Sequence, residues 1–250
     1  MMTVQRTPQY VHQTLASFFA SDPLVRQLPP LRLMVGSSDA AYLDDYHHHG
    51  QVQVLPMNET LWRTVRGCCV HHRLVHNYYR CLSMDIGAAR GLCICEDDLR
   101  FRDGFLAMLL ETIDELEAEH QRYILSAYSA YDLDRVAAFN RGRLYCSYGQ
   151  PFYGTQCVYY PRTVLPELAE FFDRHGVQAY SEPADLLIGH FDQKHRMLYA
   201  TRCSLVQHIG RRSSGVGWYH VSPSFQRSWP GNPCSSATVG QTPSVSGAKR

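Results

Sequence analysis

The chain contains no run of 18 apolar residues and no apolar stretch behind a basic amino terminus. It is therefore read without a membrane span or a signal peptide, as a cytoplasmic protein. No G-x-G-x-x-G follows the first strand and no G-x-x-x-x-G-K-[ST] occurs, so a dinucleotide-binding or P-loop core has no support. Charge of one sign is also missing. The formal net charge of +1 gives no global electrostatic case for nucleic acid or an anionic membrane. Cys93-x-Cys95 has no second cysteine pair at matching spacing, and the nine cysteines, an odd number, read as reduced core residues rather than a disulfide or zinc framework. Internal repeats are absent as well.

What remains is enough for a sizeable core: 250 residues, 45% of them hydrophobic. That suits one α/β domain with a tail, divided here as 1–217 and 218–250. The last twenty residues are Ser, Gly, Pro and Thr with little apolar content, the composition of a disordered segment. Thirteen histidines raise the charge below neutral pH.

Periodicity predicts a helix over 8–20, a strand over Leu31 to Val35, a short strand over Gln51 to Leu55 and a helix over 69–86. A helix is predicted from about Gly104 to His120 with Asp103 as its N-cap, then a strand over Tyr123 to Ala127. Residues 128–150 read as a long irregular excursion rich in Tyr, Arg and Gly. A strand follows over Gly154 to Tyr160, then a helix from Pro161 to about His175. A strand edge is predicted at Val177 to Tyr180, a short helix over Pro183 to His190, and strands over Met197 to Ala200 and Ser204 to Gln207. Alternating strands and helices predict an α/β sheet, mixed but mostly parallel and flanked by helices.

The stretch Gly91-Leu-Cys-Ile-Cys-Glu-Asp-Asp-Leu-Arg100 stands out. A short apolar run bounded by Gly91 and by three acids reads as a buried strand with carboxylates at its carboxyl end, where open α/β sheets keep ligand sites. Three adjacent acids repel unless a cation shares them, and carboxylate oxygens suit Mg²⁺ or Mn²⁺. The plain alternative is a solvated acidic turn.

Several segments together resemble a known family. Ile94-Cys-Glu-Asp-Asp-Leu-Arg-Phe-Arg-Asp-Gly-Phe-Leu106 is similar to the acidic segment of GT-A glycosyltransferases. Ser204-Leu-Val-Gln-His-Ile-Gly-Arg-Arg-Ser-Ser214 resembles a segment typical of the N-acetylglucosaminyltransferase-IV-like family and its bacterial and viral relatives. Thr3-Val-Gln-Arg6, Tyr10 and Thr14-Leu-Ala-Ser17 are similar to that family's start, and Gly154-Thr-Gln with Tyr160-Pro-Arg162 also matches. The resemblance spans about residues 3–215.

It implies a GT-A fold and a metal-dependent inverting transferase, moving a sugar from a UDP-sugar to an acceptor hydroxyl of a glycan or similar molecule. Asp98 would bind Mn²⁺ or Mg²⁺, with His208 completing the shell; a strand-end histidine bonded to backbone is the bland alternative. Asp97, Arg6, Asp39, Asn77 and Gly154 would line the nucleotide-sugar site. Asp185 would act as general base with Glu182 in reserve, although Asp185 equally suits a helix N-terminus. Gly215-Val-Gly-Trp-Tyr219 is a candidate lid over the donor. Two other readings stay open. One is a phage-type transferase acting on a hydroxymethylated DNA base, with Arg135, Arg141 and Arg143 interleaved with Tyr128, Tyr131, Tyr145 and Tyr148, and Lys194, Arg196, Arg211 and Arg212 adding to them. The other is a metal-dependent hydrolase or nuclease using Glu96, Asp97 and Asp98.

Overall fold

The computed structural model describes residues 1–129, 143–148, 152, 154–179, 182–210 and 221–225. Arg135, Arg141, Tyr131, Arg211, Arg212, the segment 213–219 and most of the tail lie outside the described residues.

The chain opens with a two-residue strand, β1 (Met2–Thr3), and then helix α1 (Val11–Ser21). Val11, Leu15 and Phe18, at spacings of four and three, are its buried apolar positions. Pro23 ends it by opening a 3-10 turn over Pro23–Gln27. Next come β2 (Leu31–Val35), β3 (Val52–Leu55), α2 (Glu59–Val65) and α3 (Val70–Leu82). Strand β4 (Gly91–Cys95) carries the acids at its end and leads through them into β5 (Leu99–Phe101) and α4 (Phe105–Glu119). The remainder is β6 (Ile124–Ser126), β7 (Tyr145–Ser147), β8 (Cys157–Pro161), α5 (Leu165–Phe172), α6 (Ala184–His195), β9 (Leu198–Thr201) and β10 (Val206–His208).

The strands form three ladders: β1-β2-β3, β4-β8-β6-β9-β7 and the pair β10-β5. Side chains alternate across them. Leu33, Val35, Cys95, Leu125, Cys157 and Tyr159 pack with α1 and α4. Met34, Ile94, Ile124, Val158, Tyr160 and Leu198 pack with α3, α5 and α6. The result is an α/β protein whose central strands β6 and β8 are covered on both faces, which is why they read as apolar runs.

Four local expectations are corrected. The sheet is not mostly parallel: among the described pairings β1-β2, β2-β3 and β6-β9 are parallel, whereas β4-β8, β6-β8, β7-β9 and β5-β10 are antiparallel. Asp103 does not cap α4. The N-cap is Gly104 in the left-handed region (φ 72°), and the first-turn donor Ala107 N is satisfied by buried Asp22 Oδ2 at 2.9 Å. Pro161 closes β8, and α5 begins four residues later with its own proline in the first turn. Residues 173–177 form a π turn continuing α5, so Val177 belongs to that turn and not to the strand edge predicted over Val177 to Tyr180, and Tyr180 lies outside the described residues. In addition, α6 runs five residues past His190, and the excursion contains β7.

No helix among the described residues is long and apolar enough to cross a membrane.

Candidate metal centre

Glu96, Asp97 and Asp98 sit where β4 ends and β5 begins, and each is held differently. Glu96 N donates to Gln156 O at 2.9 Å, which extends the β4-β8 ladder by one residue. Its carboxylate accepts from Thr155 Oγ1 at 2.6 Å. Asp97 turns the other way and is buried. It accepts from Thr3 Oγ1 and from Val4 N (3.3 Å) at the end of β1, and pairs with Arg6. Thr14 of α1 fixes the main chain between them: its Oγ1 donates to Asp97 O at 2.7 Å and accepts from Leu99 N at 3.0 Å. One turn on, Ser17 Oγ accepts from Phe101 N at 2.8 Å. Two hydroxyls of α1 thus serve β5 in place of a neighbouring strand.

Asp98 meets the far end of the chain. The antiparallel register of β10 on β5 sets His208 opposite Leu99. His208 Nε2 lies 3.0 Å from Asp98 Oδ2, and Ile209 N donates to Asp98 O at 2.8 Å. Gly210 completes the approach: a Cβ built there would overlap Asp98 Oδ2. Arg6 Nη1 stands 3.0 Å from the same oxygen, and its guanidinium lies over the Tyr10 ring, 4.9 Å from the centroid.

Each of Glu96, Asp98 and His208 offers a ligand atom within 4.8 Å of the others. Asp98 Oδ1 is buried and without a hydrogen-bond partner, an arrangement that costs free energy unless something occupies it. Two carboxylates and an imidazole suit a divalent ion of the Mn²⁺ type, so the residues present fit such a metal. The charges agree. Burial, then the neighbouring Asp98 charge, pushes the Glu96 carboxyl up to about 7. Burial likewise raises Asp97 to about 6 against the opposing pull of Arg6. Burial acts on Asp98 too, but the His208 hydrogen bond and Arg6 outweigh it and hold that carboxyl below its ordinary value. His208, despite its burial, is raised by Asp98. Burial thus favours the protonated form of two of the three carboxyls in the absence of an added cation.

The other predicted residues fall at various distances from this chemistry. Gly154 (φ 92°) needs its backbone freedom, and a side chain there would strike Gln156. It leads directly into Thr155 and Gln156, which touch Glu96. Asn77 is buried, and both ends of its amide are engaged: Nδ2 donates to Met34 O at 3.3 Å and Oδ1 accepts from Arg80 Nη1 at 2.8 Å. Asp39 is exposed, its Oδ1 accepting from Ala41 N at 2.9 Å. Asp185 and Glu182 do not join the metal-ligand group. Asp185 Oδ1 accepts from Leu186 N at 3.0 Å in the first turn of α6, and Glu182 pairs with His190 at 2.8 Å. Tyr128, Tyr145 and Tyr148, expected to offer ring faces to nucleic acid, are buried instead, and Arg143 pairs with Glu119 at 2.9 Å. Sequence reasoning gave no role to Thr3 and Thr155, and counted Glu96 only among three acids that a cation would share, not as a partner of His208. Thr3 and Thr155 carry no local signal, because they reach the acids across 94 and 59 residues of sequence.

No family model matches the chain, and no curated protein sequence matches it.

Proposed function

We propose that the protein is a metal-dependent inverting glycosyltransferase of the GT-A type, moving a sugar from a UDP-sugar donor to an acceptor hydroxyl. The observation that carries this reading is the convergence of Glu96, Asp98 and His208 at the carboxyl end of β4, with Asp98 Oδ1 buried and unpartnered among them. It is supported by the segment resemblance around the acidic triplet and around His208, two stretches that are distant in sequence and adjacent in the fold.

In this reading Asp98, His208 and Glu96 hold the divalent ion. The ion supplies Lewis-acid stabilisation of the charge that develops on the diphosphate leaving group. Arg6, already tied to Asp97 and Asp98, keeps the acids from repelling one another and adds positive charge beside the leaving group. Thr3, Val4 and Thr14 hold the acidic loop in place. Gly154 shapes the turn into Thr155 and Gln156 beside Glu96, Asn77 holds Met34 and Arg80 behind the site, exposed Asp39 is assigned to the nucleotide, and Asp185, or failing it Glu182, deprotonates the acceptor.

The test is a donor panel. Purified protein with Mn²⁺ and separate UDP-, GDP- and dTDP-sugars is followed for release of free nucleotide. The reading predicts turnover of a UDP-sugar, lost by at least about 100-fold in Asp98→Ala. Turnover that survives Asp98→Ala, or that needs no divalent ion, contradicts it.

A further inference from the structure

Three sulfurs meet just below the acidic loop. Cys93 and Cys95 sit two apart on β4 and so face the same side of the strand. The β4-β8 register sets Cys157 directly opposite Cys95. The three Sγ atoms are 3.3 Å (Cys95–Cys157), 3.7 Å (Cys93–Cys157) and 3.7 Å (Cys93–Cys95) apart. All three are free thiols; Cys95 and Cys157 are buried, and Cys93 is partly exposed.

This triangle has the size of a metal face. Zinc–sulfur bonds of about 2.3 Å at tetrahedral angles hold sulfurs about 3.8 Å apart, whereas a flat three-coordinate ion at the same bond length spreads them to about 4.0 Å. Two of the observed spacings fall at the tetrahedral value, and the Cys95–Cys157 spacing is about 0.5 Å shorter, so an ion there opens that pair slightly. Three ligand atoms come from neighbouring, hydrogen-bonded strands, so assembling them costs little additional chain entropy. Among the described residues no fourth histidine, cysteine or carboxylate joins the group.

We propose that Cys93, Cys95 and Cys157 form a binding site for a soft, tetrahedral divalent ion of the zinc class, separate from the carboxylate–histidine centre. Binding exchanges thiol protons for metal–sulfur bonds, with no change of oxidation state. The ion ties β4 to β8 one residue before Glu96 and so braces the strand end that presents the acids.

Cadmium is the probe, because its thiolate complexes absorb in the ultraviolet. Reduced full-length protein is titrated with Cd²⁺ in excess Mg²⁺, which occupies the oxygen-rich centre. One equivalent produces the sulfur-to-cadmium band at the intensity of three thiolates per ion. Cys157→Ser and, separately, Cys93→Ser weaken binding by about 100-fold or more. The Cys68→Ser/Cys69→Ser double variant changes nothing, although that adjacent pair is the other concentration of thiols. Cys93→Ser serves if Cys157→Ser does not fold, and the band intensity per ion needs no variant at all. Absence of the band, an intensity below three thiolates per ion, or a band that follows Cys68 and Cys69 overturns the proposal.

Discussion

Gly210 is the residue on which the geometry of the centre turns most sharply. Its missing side chain lets the end of β10 close onto Asp98, whose carboxylate already serves His208 and Arg6. Gly210→Ala forces that carboxylate to rotate out of a buried position in which Oδ2 meets both His208 and Arg6. The expected outcome is divalent-ion affinity at least about tenfold weaker and a stability loss of about 1–3 kcal/mol, read by Mn²⁺ titration and chemical denaturation. An alanine variant that binds Mn²⁺ as tightly as the parent contradicts this account of the approach. The same scale shows what residue types could and could not reveal. The acidic triplet was legible, because charged residues breaking an apolar run are a local signal, whereas His208 stood out only through the resemblance of its segment to a known family. Cys157 was not: its meeting with Cys93 and Cys95 depends on strand register 62 residues away. The tyrosines of the excursion were legible only as aromatics, and packing rather than type decided that Tyr128, Tyr145 and Tyr148 are core residues.

Between elements, α1 and β5 depend on one another through two hydroxyls. Thr14→Val keeps the shape of the side chain but leaves Leu99 N without its acceptor and Asp97 O without its donor. A buried donor left unpaired costs about 1–3 kcal/mol, so Thr14→Val is expected to lower stability by that amount in chemical denaturation. Ion affinity falls with it, because the loop carrying Asp97 and Asp98 loses its fixed point. Loss of stability near zero contradicts the view that α1 substitutes for a strand beside β5. The strand Leu31–Val35 and most of α4 were legible in the sequence, since each is a clear periodic or apolar segment. Strand direction was not, because a strand buried on both faces is apolar throughout whether its neighbours are parallel or antiparallel. Short elements were lost for a simpler reason: β5 has three residues, too few for any period to register. The cap of α4 was misassigned to Asp103 because Asp22, its actual acceptor, lies 85 residues from Ala107.

For the whole molecule, the centre makes stability depend on pH and on metal together. Glu96 and Asp97 have folded-state values of about 7 and about 6, above the ordinary 4.5 and 3.8. The native state therefore holds more protons than the unfolded chain between those limits, and stability falls as pH rises through them. His208, raised by Asp98, acts in the same direction above the ordinary histidine value. Asp98, held low, acts oppositely and only in acid. The metal-free protein is expected to lose thermal stability between about pH 5 and about pH 7.5, and saturating Mn²⁺ to flatten that slope. A melting temperature that rises over this range without metal contradicts the charge balance described for the centre.

The central claim is that Glu96, Asp98 and His208 form a metal centre serving a nucleotide diphosphate, and titration calorimetry with UDP tests it most directly. The account predicts UDP binding in the presence of Mn²⁺, weakened at least about tenfold when Mn²⁺ is replaced by EDTA, and lost in Asp98→Ala although that variant remains folded. UDP binding of equal strength with and without Mn²⁺, or no UDP binding to the folded wild-type protein in its presence, would contradict it.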